Sequence, residues 1–315
     1  MGRSELRCYY SLFTVLRGLY YKFGKDSGFF INSNFLGIPS ELSDWDNARF
    51  AVLPVPYDHT TTFQSGTRKG PKAIIEASAY IELYDDELRM EPAESGVHTL
   101  DLLDVTVDPG ETLDRISNVI TDILKAEKIP VMLGGEHSIT FGAVKALKDK
   151  YSNFSVLQLD AHGDLRKEYQ GTELSHACVM RRIAELNIGI VQAGIRSISK
   201  EEAEYIQKAN NIFTFFAANI IGREDWMEEA VSHLSENVYI TIDVDVFDPS
   251  YVPATGTPEP GGLDWYQVIR FLNLVSRERK IVGFDAVELC PIPGQVASDF
   301  LVAKLLYKLM GYTIR

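Results

Sequence analysis

Leu157-Gln158-Leu159-Asp160-Ala161-His162-Gly163-Asp164 is an apolar run that ends in chemically active side chains at every second position. In an extended strand, residues two apart share a face, so Asp160 and His162 point the same way where the strand stops. Asp164 joins them if the chain curls at Gly163, where a missing Cβ makes a tight turn cheap. Two carboxylates and an imidazole meeting at one point are accommodated most simply by a cation between them. Taken singly, each residue has a blander reading: a strand-end Asp commonly caps a helix or forms a turn, and His137 could do the same. The grammar recurs, however. Tyr239-Ile240-Thr241-Ile242-Asp243-Val244-Asp245 is again an apolar strand ending in acids two residues apart, and Ile129-Pro130-Val131-Met132-Leu133 runs into Gly134-Gly135-Glu136-His137. Three strands each deliver ligand-type side chains at their carboxyl ends.

Working outward, residues 49–55 read as a buried strand, and further strands are expected at 97–103, 129–133, 154–160, 188–194, 238–243 and 280–288. Helices are expected from Gly70-Pro71, with proline at the first helical position where its missing N–H costs nothing, and at 112–127, 138–149, 175–186, 200–209, 225–235, 264–276 and 297–309. The strands are continuous apolar runs, as in a sheet covered on both faces. No repeat or Pro/Ser-rich linker divides the chain. The expectation is one doubly wound α/β domain over 29–315, mostly parallel, flanked by helices on both faces, with ligands at the carboxyl ends of the strands.

Residues 1–28 read as an extension of unknown role. Met1 to Lys25 is basic and aromatic, and its apolar run from Cys8 to Leu16 lacks the small residues of a cleavage site. Leu6 stands where a myristoylation signal needs Ser or Thr. No run of about 18 apolar residues is present, so no membrane partner is expected. With 31 basic against 44 acidic side chains, the net charge of −13 disfavours nucleic acid and suits a small cation. Cys8, Cys178 and Cys290 are scattered, without a CxxC pair, which points to the reducing cytoplasm.

His137, Asp160, His162, Asp164, Asp243 and Asp245 exceed what one divalent ion needs and suit two ions sharing carboxylates. A mixed N/O set without thiolate favours Mn²⁺ over a structural zinc. Two ions about 3.5–4 Å apart can hold a water as hydroxide near neutral pH, which points to metal-assisted hydrolysis.

The residues that carry these ligands also resemble the signatures of the ureohydrolase family of arginases and agmatinases. The matching segments are Gly134-Gly135-Glu136-His137-Ser138, Asp160-Ala161-His162-Gly163-Asp164, and Thr241 to Asp245 continuing through Pro249, Pro253-Ala254 and Gly262. Gly66, Arg68, Gly70 and Pro71 match a further segment. The resemblance covers about Arg49 to the C-terminus. It implies a binuclear manganese centre with two Mn²⁺ per subunit, one ion on His137, Asp160, Asp164 and Asp243, the other on His162, Asp160, Asp243 and Asp245. It implies a hydroxide attacking a guanidinium carbon, with Asp164 steadying it, and release of urea and an amine. His176 matches the family's proton-shuttle histidine, a role that suits an imidazole pKa near neutrality. Glu288 matches the glutamate that meets the substrate guanidinium, a planar fork against a carboxylate. A homo-oligomer, trimer or hexamer, is implied as well.

The segment Asp164-Leu165-Arg166 through Ser175-His176 looks more like agmatinases of bacterial and archaeal type, because Arg166 replaces the Asn that arginases use. The expected substrate is agmatine, yielding urea and putrescine. Aminopropylagmatine, guanidinobutyrate and arginine remain alternatives, as do a binuclear phosphoesterase and a non-catalytic ligand-sensing relative. The acidic run Glu82–Glu94 is read either as solvated charge or, if it folds over the mouth, as countercharge for a cationic amine. Of the remaining histidines, His59 is placed at the entrance, while His98 and His233 are read as surface or packing residues.

Overall fold

The computed structural model describes residues 34–315. Residues 29–33 and the extension at 1–28 lie outside the described residues. Eight strands form one sheet: β1 (Phe50–Val55), β2 (Val97–Thr99), β3 (Ile129–Gly134), β4 (Ser155–Leu159), β5 (Gly189–Ile195), β6 (Ile212–Phe216), β7 (Asn237–Asp243) and β8 (Lys280–Val287). Every pairing is parallel and the order is β2-β1-β3-β8-β7-β4-β5-β6. The helices are α1 (Ser40–Ser43), α2 (Gly70–Ser78), α3 (Pro109–Lys125), α4 (Thr140–Lys150), α5 (Val179–Glu185), α6 (Lys200–Lys208), α7 (Ala217–Ile220), α8 (Trp226–Ser232), α9 (Trp265–Glu278) and α10 (Ala297–Ile314).

Because alternate strand residues face opposite ways, the sheet carries two separate cores. On one face Phe50 and Val52 of β1 belong to one apolar cluster with Ile74 of α2, Trp226 of α8, Phe271 of α9 and Leu306 of α10. On the other, Ala51, Leu53 and Val55 join Ile116 of α3, Val144 of α4 and Ile183 of α5. Burial on both sides is why these strands read as unbroken apolar runs.

Strand order places the site. From β3 the chain steps over two sheet positions to begin β4, and β7 and β8 later fill that gap. The four central neighbours β3-β8-β7-β4 therefore present their carboxyl ends side by side, at the kind of topological switch where open α/β sheets bind ligands.

Three departures from the sequence reading have physical causes. β6 was not expected: its Ile212-Phe213-Thr214-Phe215-Phe216 is short and aromatic, with partly buried side chains suited to an edge. The expected strand at 97–103 pairs only over Val97–Thr99, as the far edge of the sheet. The expected helix at 175–186 starts with a 3₁₀ turn, His176–Cys178, capped by Ser175, and is α-helical only from Val179.

Candidate metal centre and active site

His137 leaves β3 on a one-turn 3₁₀ helix, and its Nδ1 lies 3.0 Å from Asp160 Oδ2, 3.0 Å from Asp164 Oδ2 and 3.5 Å from Asp243 Oδ2. His162 Nδ1 lies 2.9 Å from Asp245 Oδ2 and 3.7 Å from Asp160 Oδ1. All six expected ligands thus converge. Two sets of donor atoms, His137–Asp160–Asp164 and Asp160–His162–Asp245, have the spacing a metal ion requires, and Asp160 belongs to both.

The turn after β4 differs in detail from its expectation. Positive φ falls on Asp164 (52°), not on Gly163. Gly163 is needed for space instead, since a Cβ there would stand 2.8 Å from Ile198. Glu288 is the second acid of the site with positive φ, at 63°. Left-handed backbone in non-glycine residues is strained, and it concentrates where the surrounding structure fixes a functional geometry.

Burial and neighbouring charges set the protonation pattern of the cluster. Burial together with the neighbouring Asp160 pushes Asp164 up to about 7. Burial, Asp245 and Asp160 likewise raise Asp243. Burial also acts to raise Asp160, but His137 and His162 outweigh it and hold that carboxyl below the ordinary range. Burial opposes the charged form of both histidines, and the surrounding carboxylates reverse this and raise them.

His137 Nδ1 is also buried without a hydrogen-bond partner, although carboxylate oxygens surround it. Its tautomer is set from the other side. Thr241 donates its hydroxyl to Asp285 Oδ1 (2.6 Å), so its oxygen accepts from His137 Nε2–H (2.9 Å), and in the neutral ring the Nδ1 lone pair then faces the carboxylates. Tyr239 and Thr140 also donate to Asp285 Oδ2, at 2.7 and 2.9 Å. A lone pair and three carboxylate oxygens converging without a donor fit a divalent cation, and the N/O donor set fits Mn²⁺.

A cavity opens over these atoms, lined by His162, Asp164, His176 and Glu288 and, toward its mouth, by Arg166 and Tyr169. Glu288 accepts from the backbone N–H of His137 at Oε1 (2.7 Å). His176 is fixed by Thr60, a residue the sequence reading did not single out. The Thr60 hydroxyl donates to Glu136 Oε1 at 2.5 Å and its oxygen accepts from His176 N at 3.2 Å. That oxygen faces His176 Nδ1 at 3.3 Å, as does the Ser175 hydroxyl. Burial, reinforced by His137 and His162, lowers the His176 pKa to about 4.

Other expectations divide. Arg166 does reach the mouth, where its guanidinium lies 5.1 Å from the Tyr169 ring centre and its Nε 4.0 Å from buried Glu202. The acidic run Glu82–Glu94 does not line the cavity. Its Asp85 is fully buried and paired with Lys308 at 3.0 Å, so the countercharge reading is corrected: the run anchors α10. His59 leans on Tyr57, with ring centres 5.1 Å apart, and is not among the lining residues. His98 binds the Ser43 carbonyl and His233 stacks on Phe213, both as packing residues.

A parallel α/β sheet whose central strand ends gather five histidine and aspartate side chains in two donor sets sharing Asp160, with Asp243 beside them, has the architecture of a binuclear-metal hydrolase. The arginase family model matches residues 48–311, and the chain belongs to that family, whose members depend on a binuclear metal centre. It is 39% identical over 279 residues to the N(1)-aminopropylagmatine ureohydrolase of Synechocystis sp., covering 86% of this chain and 91% of that protein. To the agmatinase of Pyrococcus horikoshii it is 36% identical over 277 residues, covering 86% and 94%. The crystal structure of the agmatine ureohydrolase of Thermoplasma volcanium superposes with a TM-score of 0.80 at 31% identity, covering 92% of this chain and 96% of that one. The chain is thus a ureohydrolase of the arginase family, acting on a guanidino compound.

Proposed function

We propose that this enzyme holds two Mn²⁺ and hydrolyses the guanidino group of a cationic amine, agmatine or its N1-aminopropyl derivative, to urea and the corresponding amine. The observation that carries this is the pair of donor sets sharing Asp160 beneath a cavity that also holds Glu288 and His176. The matched relatives named for agmatine and aminopropylagmatine support the choice of substrate class. When bound, the two ions supply Lewis acidity and a water acidified to near neutral pH.

One ion would rest on His137, Asp160, Asp164 and Asp243, the other on His162, Asp160, Asp243 and Asp245. Asp164 also accepts a hydrogen bond from the attacking oxygen. Glu288, with Oε1 held by His137 N, offers its second oxygen to the substrate guanidinium and sets the plane of the carbon under attack. His176, held beside Thr60, would take a proton from the attacking water at its free ring nitrogen and pass it to the departing amine. Arg166 lines the cavity with its guanidinium against the Tyr169 ring, where it can meet the non-reacting end of the substrate.

The test is urea release from a panel of agmatine, aminopropylagmatine, guanidinobutyrate and arginine, with and without added Mn²⁺. Manganese-dependent urea from the two cationic amines is expected, and turnover confined to the guanidino acids would contradict the assignment. Assembly into a trimer or hexamer belongs to the same reading and is checked by light scattering. Among the described residues no helix is long and apolar enough to cross a membrane.

A further inference from the structure

Positions in the middle of a parallel strand covered on both faces ordinarily hold Val, Ile or Leu. Here Gln158 of β4, Gln192 of β5 and Thr214 of β6 stand in register across three neighbouring strands, and both glutamines are 0% exposed. A buried amide is tolerated only when hydrogen-bonded, and every hydrogen of this row has a partner.

The Thr214 hydroxyl donates to Gln192 Oε1 at 2.7 Å. Gln192 Nε2 donates to Gln158 Oε1 at 2.6 Å and to the Gly163 carbonyl at 2.8 Å. Gln158 Nε2 donates to Asp160 Oδ2 at 2.7 Å and to the His162 carbonyl at 3.3 Å. Turning either amide over would set its oxygen against acceptors, so the direction of the row is fixed by its ends. It begins at a half-buried hydroxyl on the sheet edge and finishes on the carboxylate common to both donor sets. On the way it grips the His162 and Gly163 carbonyls, two of the three between Asp160 and Asp164.

We propose that Gln158, oriented by Gln192 and Thr214, is a positioning residue for the metal centre, holding the Asp160 carboxylate and the 162–163 backbone where both ions can share them. This rests on the two-manganese reading above. Outer hydrogen-bond partners of metal ligands commonly change metal affinity by about 10–100-fold when removed. Gln158 touches both a ligand oxygen and the ligand-bearing turn, so the upper part of that range is expected for it. Gln192 acts on the same turn through Gly163 and on Asp160 only through Gln158, and Thr214 acts only through Gln192.

The test uses the full chain as wild type, Q158L, Q192L and T214V. Manganese dissociation constants are measured by equilibrium dialysis with metal analysis, and the visible spectrum of the cobalt-substituted protein is recorded. Expected are two ions per subunit in wild type and about 100-fold weaker binding in Q158L. Q192L is expected to lose about 10-fold, T214V least, and the cobalt spectrum to change in the same order. Circular dichroism of the metal-free proteins identifies any variant that does not fold. T214V, at the half-buried edge, carries the test if both glutamine variants fail, through a measurable weakening and a shifted cobalt spectrum. Unchanged dissociation constants and spectra in the folded variants would overturn the proposal. A wild type that takes up no manganese would instead overturn the metal reading beneath it.

Discussion

Two clusters of this protein hold buried carboxylates, and they solve the problem of buried charge in opposite ways. Around Lys308, the acids have donors to spare. Asp85 Oδ1 accepts from Glu87 N, Leu88 N and Lys308 Nζ, while Glu87 shares Lys308 with it and takes Tyr312 and Asn273 besides. Around His137, the acids outnumber the donors and Nδ1 faces three carboxylate oxygens without a hydrogen bond. Burial raises the carboxyls in both places. At Asp85 and Glu87 the hydrogen bonds from the Leu88 backbone, Lys308 and Tyr312 outweigh it and hold them below the usual range. At Asp164, Asp243 and Glu288 burial and neighbouring acids prevail. The first cluster is complete and therefore structural. The second holds its acids against one another around two histidines, as a metal site does.

The sharpest separation is expected from removing a ligand. His162→Ala should lose one ion per subunit by metal analysis and reduce urea release by well over the ~100-fold typical of an outer partner. His176→Ala should keep both ions and reduce kcat by about 10²–10⁴-fold, the usual worth of a positioned acid–base group. Glu288→Gln should also keep both ions but weaken substrate capture, raising KM by about 10–100-fold, as loss of a charge-assisted hydrogen bond does. Lys308→Met strands buried Asp85 and should destabilise the fold by about 3 kcal/mol in denaturant unfolding while kcat stays at the wild-type value.

The mildest effect is that of pH, and here Asp164 has the opposite sign to Asp85 and Glu87. Asp85 and Glu87 have folded pKa values below their unfolded ones. Their stabilisation is present above the ordinary carboxylate pKa of about 4 and is lost as pH falls through the folded values. Asp164 has its folded value raised to about 7, so in metal-free protein its contribution is complete below about 4 and fades as pH climbs through 7. Melting temperatures of metal-free protein should therefore drop both below pH 4 and from pH 5 to 8. Added Mn²⁺ should correct only the second loss, and correction of both would erase the distinction.

The convergence of the six side chains was readable in the sequence because each lies at or within a few residues of a strand's carboxyl end, where a parallel sheet gathers its site. Asp160 and His162 needed only the alternation rule, and the apolar runs before them revealed the covered sheet. What fixes those ligands was not readable. Thr60 meets Glu136 and His176 across 76 and 116 positions of chain, and Thr241 meets His137 across 104. No local pattern encodes such pairings. β6 escaped notice for a related reason: an edge strand is partly exposed and lacks the unbroken burial that marks its neighbours. The acidic run at 82–94 misled in the other direction, because its partner Lys308 lies 223 residues away on α10.

Anomalous diffraction at the manganese edge, from crystals grown with Mn²⁺, tests the cluster around His137 most directly. Two peaks should appear per subunit, one among His137, Asp160, Asp164 and Asp243 and the other among His162, Asp160, Asp243 and Asp245. A map with no peak between these side chains, or with manganese only elsewhere on the protein, would contradict the account.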